Sequence, residues 1–311
     1  MTTPLEVSLA GRDFLRISDL VPAEAEAILD TALSLKDDRR PLAPGSTLGL
    51  YFAKHSTRTR VSFTVAIAHL GGSAIPLTPD ELQLSRGESL PDTARALSGY
   101  LDALAVRVHS HAELEEWAHW ASIPVINALT AEEHPCQALA DCQTLVERWG
   151  SLRGRTIAFV GDGNNVAASL AQAVAMLGGT VTVASPHGYE LPQSVCEGIA
   201  AAARFGGGVS VTNDPLEAVS DADAIYTDVW ASMGQEEEAA ERRTIFQPYQ
   251  VNAALMAQAP ETALFMHCLP AHRGDEVTDE VMDSPASIVF DQSENRLHTQ
   301  KALLALLAGC Q

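Results

Sequence analysis

Basic residues are scarce in this chain: 20 Lys and Arg stand against 40 Asp and Glu in 311 residues, a formal net charge of -20. A field of that sign repels nucleic acid and anionic membrane surfaces, so neither is expected as a partner. Cysteine is scarce as well. Cys136, Cys142, Cys196, Cys268 and Cys310 are odd in number, widely spread and without a C-x-x-C pair. That pattern argues against a disulfide framework or a zinc ribbon and for a reducing compartment. Long apolar runs are missing: nothing approaches the roughly 18 residues of a membrane-spanning helix. The opening Met1-Thr2-Thr3-Pro4-Leu5-Glu6-Val7 has neither the basic nor the apolar part of a secretory leader. A soluble, cytoplasmic protein is the expectation.

Hydrophobic residues make up 46% of the chain, and its length exceeds the roughly 100–200 residues of one typical core, so two domains are expected. Runs that suit buried strands fall at 47–52, 73–77, 103–108, 124–127, 156–160, 180–184, 209–212, 224–227, 264–267 and 288–290. Helical spacings lie between them. One helix is expected over 22–35 with Ile28, Leu29, Ala32 and Leu33 on its buried face. Another follows Ser56 and packs through Val61, Phe63, Val65, Ala66, Ile67 and Leu70. Ser89-Leu90-Pro91-Asp92 has the form of a capping box opening a helix through Leu101. The alternation predicts an α/β fold with two parallel sheets, each flanked by helices. Ser151-Leu152-Arg153-Gly154 reads as the boundary between a domain over 1–150 and one over 151–292, with the last helix, 293–311, returning to the first.

Ser56, Arg107, His134, Asn165, Asp228 and Cys268 each fall at or just past the carboxyl end of an expected strand, where open α/β sheets bind ligands. Such edges, facing one another, would line a cleft between the domains. Ser56-Thr57-Arg58-Thr59-Arg60 joins a strand to a helix, so free amides, hydroxyls and guanidinium forks converge there as a phosphate dianion requires. Gly161-Asp162-Gly163-Asn164-Asn165 is a partial dinucleotide fingerprint, but the next strand ends in Ser185-Pro186 without the acidic residue that holds a ribose. His134-Pro135-Cys136-Gln137 sets an imidazole and an amide one helical turn apart. His267-Cys268 with His272 invites a metal reading, yet no matching ligand pair is evident, and no metal is expected.

Taken in order, Ser56-Thr57-Arg58-Thr59-Arg60, Arg107, His134-Pro135-Cys136-Gln137, Asp228-Val229-Trp230-Ala231-Ser232-Met233-Gly234, His267-Cys268-Leu269-Pro270 and Glu294-Asn295-Arg296 resemble the motif set of the aspartate/ornithine carbamoyltransferase family, in its ornithine-using form. Thr64 and Ala131 depart from the family's usual Glu and Asp. The resemblance implies transfer of the carbamoyl group of carbamoyl phosphate to the δ-amino group of L-ornithine, giving L-citrulline and phosphate, with no cofactor. It implies that Ser56, Thr57, Arg58, Thr59 and Arg107 hold the phosphate, and that His134 and Gln137 address the carbamoyl group with Pro135 and Cys136 beside them. Cys268, Leu269 and Arg296 then complete that pocket, while Asn165, Asp228, Ser232 and Met233 hold ornithine. Gln83 matches a position that the family lends to a neighbouring subunit, implying a homotrimer or a multiple of one.

The chemistry agrees with that assignment. Carbamoyl phosphate is an activated acyl donor, so the protein must bind negative charge, polarise a carbonyl and present a neutral amine. Arg58, Arg107 and Arg296 supply the charge. His134, among arginines, is expected to be neutral and to donate to the developing oxyanion. Asp228 suits a substrate ammonium, which fits ornithine better than aspartate; together with the Ser232-Met233-Gly234 loop it argues against putrescine or N-acetylornithine as the amine, the acetylated α-nitrogen lacking the cation.

Overall fold

The computed structural model describes residues 9–231 and 236–309. The chain forms two compact units, dividing after Gln143 and returning to the first unit at Asn295. Ser232 and Met233 lie outside the described residues.

The first unit holds four parallel strands, β1 (Thr47–Phe52), β2 (Ser73–Leu77), β3 (Ala103–Arg107) and β4 (Val125–Leu129), in the order β2-β1-β3-β4. The core below β1 and β3 is built of Tyr51, Leu104, Val106, Leu114, Trp117 and Val125, all buried. Each such side chain contributes about 1.5–3 kcal/mol of transfer free energy. Helix Pro22–Leu35 buries Ala25, Ile28, Leu29, Ala32 and Leu35, whereas Leu33 is exposed. Ile28, Ala32 and Leu35 make the i, i+4, i+7 stripe, and Leu33 lies outside it. Val61 is likewise exposed, one turn into helix Thr57–His69, which packs through Phe63, Ala66 and Ile67 instead. The capping Ser89 accepts from Asp92 N–H, but its helix ends at Ser98.

The second unit holds five parallel strands, β5 (Thr156–Val160), β6 (Thr180–Ala184), β7 (Gly208–Thr212), β8 (Ala224–Thr227) and β9 (Leu264–His267), in the order β7-β6-β5-β8-β9. Its core includes Val160, Ile225, Phe265, Val281 and Val289. The strand expected at 288–290 is not one. Only Ser287 bridges Phe265, and Val289 opens helix Val289–Leu307. Three apolar residues suit a buried first helical turn as well as a strand, and periodicity alone cannot separate them. Within the first unit, the end of that helix is tied down by buried Lys301, whose ammonium donates to the carbonyls of Leu35 and Asp38 at the carboxyl end of helix Pro22–Leu35. Among the described residues no helix is long and apolar enough to cross a membrane.

In both sheets the strand order reverses once, between β1 and β3 and between β5 and β8. A crevice opens at the carboxyl ends of such a pair, because the connections leave it in opposite directions.

Candidate active site

At the first reversal, Phe52 pairs with Arg107, and Ala53 N–H donates to the Arg107 carbonyl at 2.9 Å, so the turn after β1 stays beside the end of β3. Ser56 is the N-cap of helix Thr57–His69 in extended conformation, and its side chain makes no capping bond. The amides of the first turn therefore remain available to a ligand. Arg107 sits where the β3–β4 register shifts, pairing with Leu129 after Val106 pairs with Asn127; such an irregularity re-aims the side chain. Its Nε is buried without a hydrogen-bond partner, and among the described residues Arg107 forms no ion pair. Burial first, then repulsion from Arg296 and Arg58, pushes the Arg107 guanidinium down to about 10. It stays cationic at neutral pH.

Arg296, 4% exposed, donates to Gln137 Oε1 at 2.6 Å and to Thr59 Oγ1 at 3.1 Å. Gln137 in turn donates to Asp141 at 2.8 Å. Side chains of two other helices thus hold Arg296 in place. His134 is buried immediately before helix Pro135–Trp149, and its carbonyl receives Gln137 N–H and Ala138 N–H. Burial, ahead of Arg296 and Arg107, pushes its imidazole well below the ordinary value. Desolvation is the larger cause, where the sequence suggested only the arginines. Cys136 is buried against the Asn127 carbonyl, and burial raises its thiol to about 12, so it is protonated.

Thr130 organises the approach to His134. Its hydroxyl takes Glu133 N–H at 3.2 Å and lies 2.9 Å from His111 Nδ1, and Thr130 N–H donates to the Glu133 carbonyl. Gln83 is an exposed residue of a short helical turn, Gln83–Arg86.

At the second reversal, β5 leads into Gly161, and Gly163 packs so closely that a Cβ would lie 2.4 Å from Leu191 N. Glycine is required there by the fold, not by a dinucleotide. Asn164 caps helix Asn165–Met176 through Val166 N–H and Ala167 N–H, and its amide donates to Asp228 Oδ2 at 2.8 Å. Asp228, 7% exposed, also accepts from Val229 N–H at 2.8 Å and from Cys268 Sγ at 2.9 Å. Asn165, the residue expected to reach the ligand, is half-buried in the first turn of the helix. Beneath this lies Arg242, which donates to Asp162 and to the Trp230 carbonyl and stacks over Tyr189 and Phe246 at 4.8 and 5.1 Å. Burial, opposed by Arg242, lifts the Asp162 carboxyl to about 6.

Asp228, His267 and Cys268 bring three potential metal-ligating atoms within 4.8 Å of one another. The geometry suits hydrogen bonding better. Both His267 nitrogens are engaged, Nδ1 by Leu269 N–H at 2.9 Å and Nε2 by Glu276 at 3.1 Å, and the thiol donates to Asp228.

Asn164, Thr130, His111, Asp141, Arg242 and Glu276 were not singled out from sequence. Only Asn164 carried a local signal, as an Asn just before an apolar helical run.

Comparison with known proteins gives a consistent result. Residues 12–147 match the family described as "Aspartate/ornithine carbamoyltransferase, carbamoyl-P binding domain", and residues 153–307 match its "Asp/Orn binding domain". The chain is 55% identical over 309 residues to the ornithine carbamoyltransferase of Pyrococcus abyssi, covering 97% of this chain and 98% of that one. It superimposes on the ornithine carbamoyltransferase structure from Pyrococcus furiosus with a TM-score of 0.94 at 54% identity, covering 97% and 99%. With the anabolic ornithine carbamoyltransferase of Campylobacter jejuni the TM-score is 0.90 at 36% identity, covering 96% and 100%.

Proposed function

The chain belongs to the aspartate/ornithine carbamoyltransferase family, and from that premise we propose how its residues divide the work. The enzyme transfers the carbamoyl group of carbamoyl phosphate to the δ-amino group of L-ornithine, giving L-citrulline and phosphate. In this reading the first unit binds the donor and the second binds the amine. The observation that carries it is Arg107: a half-buried cation whose buried Nε has no acceptor, repelled by Arg58 and Arg296, at the point where strand order reverses. A phosphate dianion satisfies all three.

Ser56, Thr57, Arg58 and Thr59 present amides, hydroxyls and a guanidinium to the phosphate, and Arg107 bridges phosphate and carbonyl. His134, neutral, donates to the carbonyl oxygen as negative charge gathers on it, and Arg296 adds its field. Gln137 aims Arg296 and retains one amide N–H for the carbamoyl group. Pro135 and Cys136 shape the pocket, and Cys268 and Leu269 contact the carbamoyl group from the second unit's strand end. The neutral δ-amine attacks the carbonyl carbon, the C–O bond to phosphate breaks, and the proton lost by the amine leaves with the phosphate. Asp228 holds the α-ammonium of ornithine, with Asn165, Ser232 and Met233 lining the same substrate. The cytoplasm is the proposed site of the reaction.

Offering ornithine, putrescine, N-acetylornithine and aspartate separately with carbamoyl phosphate, and measuring the ureido product, tests the reading; only ornithine should turn over well. Gln83 is exposed, which supports its service to a neighbouring copy in a trimer or multiple of trimers. Mixing an inactive Arg58 variant with an inactive Gln83 variant should restore activity through hybrid assemblies.

A further inference from the structure

Glu276 is fully buried, and so is His267, the last residue of β9. One oxygen of the Glu276 carboxylate, Oε1, accepts from both His267 Nε2, at 3.1 Å, and the backbone N–H of His272. The other, Oε2, is buried without a partner. His267 Nδ1 accepts from Leu269 N–H at 2.9 Å, so the ring proton resides on Nε2, facing the carboxylate. The His267 backbone N–H is held in turn by Gln292 Oε1 at 2.9 Å.

These bonds fasten both ends of a single turn. Residue 267 is held on the ring and on the backbone, residue 272 on the backbone, and one carboxylate serves the two ends. Between them stand Cys268, whose thiol reaches Asp228, and Leu269, whose φ of 58° is a left-handed conformation that a leucine adopts only under constraint. Leu269 N–H bonded to the imidazole supplies that constraint. A carboxylate buried so completely, with one oxygen unsatisfied, is costly to keep. Stability alone would favour an apolar residue there.

We propose that Glu276 is a positioning residue for carbamoyl transfer, acting through His267 to fix the Cys268–Leu269 turn in the conformation that meets the carbamoyl group. The proposal rests on the assignment of Cys268 and Leu269 to that group. It requires that the acceptor at Oε1, not the second oxygen, carries the effect, and that the Leu269 bond to Nδ1 is the final link.

The test uses the full chain. Glu276→Ala should lower kcat roughly ten- to a hundredfold, the range expected for small misplacement of a reacting contact. Carbamoyl phosphate affinity, measured by calorimetry, should stay within about twofold, because its phosphate donors belong to the first unit. Glu276→Gln keeps the Oε1 acceptor and should recover kcat to within about fivefold of the parent, an outcome that a general packing role does not produce. Should Glu276→Ala fail to fold, the imidazole can be divided instead. His267→Asn keeps an acceptor near Nδ1 but cannot reach Glu276, whereas His267→Gln reaches Glu276 but loses the Leu269 bond, and the Gln variant should have the lower kcat. Folded Glu276→Ala with kcat within twofold of the parent overturns the proposal, as does Glu276→Gln no better than Ala, or His267→Gln outperforming His267→Asn. A parent enzyme that makes no citrulline overturns the underlying assignment instead, whatever the variants do.

Discussion

At the ends of β1 and β3 a half-buried guanidinium has a buried Nε without an acceptor and is repelled by two others, while at the ends of β5 and β8 a carboxylate holds three donors. Both places are reversals of strand order, so topology supplies the same crevice twice. What differs is the arrangement of charge at each. The cationic group stores repulsion, and an anion that relieves it is bound more tightly for that reason. The carboxylate is oriented in advance; in the proposed reading an arriving ammonium must share it with Asn164 and Cys268, so the second region gives up some affinity for a fixed direction of approach.

The contrast can be broken most sharply at Asp228. Asp228→Asn should lower kcat/KM for ornithine at least roughly a hundredfold, about 2.7 kcal/mol, while carbamoyl phosphate affinity stays nearly intact by calorimetry. It should also lower the melting temperature, because it replaces an acceptor of three bonds by an amide facing the amide of Asn164. Arg107→Met should cost kcat/KM for carbamoyl phosphate roughly ten- to several-hundredfold, from one or two charge-assisted bonds of about 1.5–3 kcal/mol each. Here the ligand-free melting temperature should rise by about 1–3 °C, since one of three repelling cations is gone. Opposite signs of the two thermal shifts, read by scanning calorimetry, are what the comparison requires; equal signs break it.

A smaller effect is expected from Asn164→Ala, which removes both a helix cap and a bond to Asp228. It should destabilise by about 1–2 kcal/mol and lower the melting temperature by roughly 2–6 °C, with ornithine KM rising more than carbamoyl phosphate KM.

The smallest is a pH effect. His134 has a folded-state pKa below its unfolded value of about 6.5, so the unfolded chain takes up a proton that the folded one refuses. That contribution is complete above about pH 6.5 and is lost as pH falls further. Asp162 acts in the other sense. Its folded value, about 6, lies above the ordinary carboxylate value, so its contribution grows as pH falls through 6. Melting curves from pH 7.5 to 5 should fall less steeply in His134→Gln than in the parent, and more steeply in Asp162→Asn.

Sequence and structure part company at identifiable places. The strands that coincide with their expected bounds, Thr47–Phe52, Thr156–Val160 and Leu264–His267 among them, are short apolar runs bounded by polar turns, where local pattern and burial agree. Val289 and its neighbours are apolar too, yet they open a helix, because the pairing partner of Ser287 is a single residue. The strand-end positions of Ser56, Arg107, His134, Asp228 and Cys268 were legible, since they follow from strand bounds alone. The supporting groups were not. Glu276 meets His267 across nine positions of irregular chain, and Asp162 meets Arg242 across 80, distances over which no periodicity operates.

Arg296 reaches Gln137 over a separation of 159 residues, and that has a consequence for the order of synthesis. Arg58, Arg107 and His134 are made long before the codon for Arg296 is read; at about 5–20 residues per second the 159 residues from Gln137 alone take roughly 8–30 seconds. During that interval the first unit has its sheet but lacks helix Val289–Leu307, the hydrogen bonds from Arg296 and the Lys301 clamp on Leu35 and Asp38. A nascent chain stalled anywhere in the second unit therefore carries an apolar face still waiting for its cover, and Arg58, Arg107 and His134 still without Arg296 beside them. The arginine cluster of the first unit comes first in the gene and is completed almost last on the ribosome.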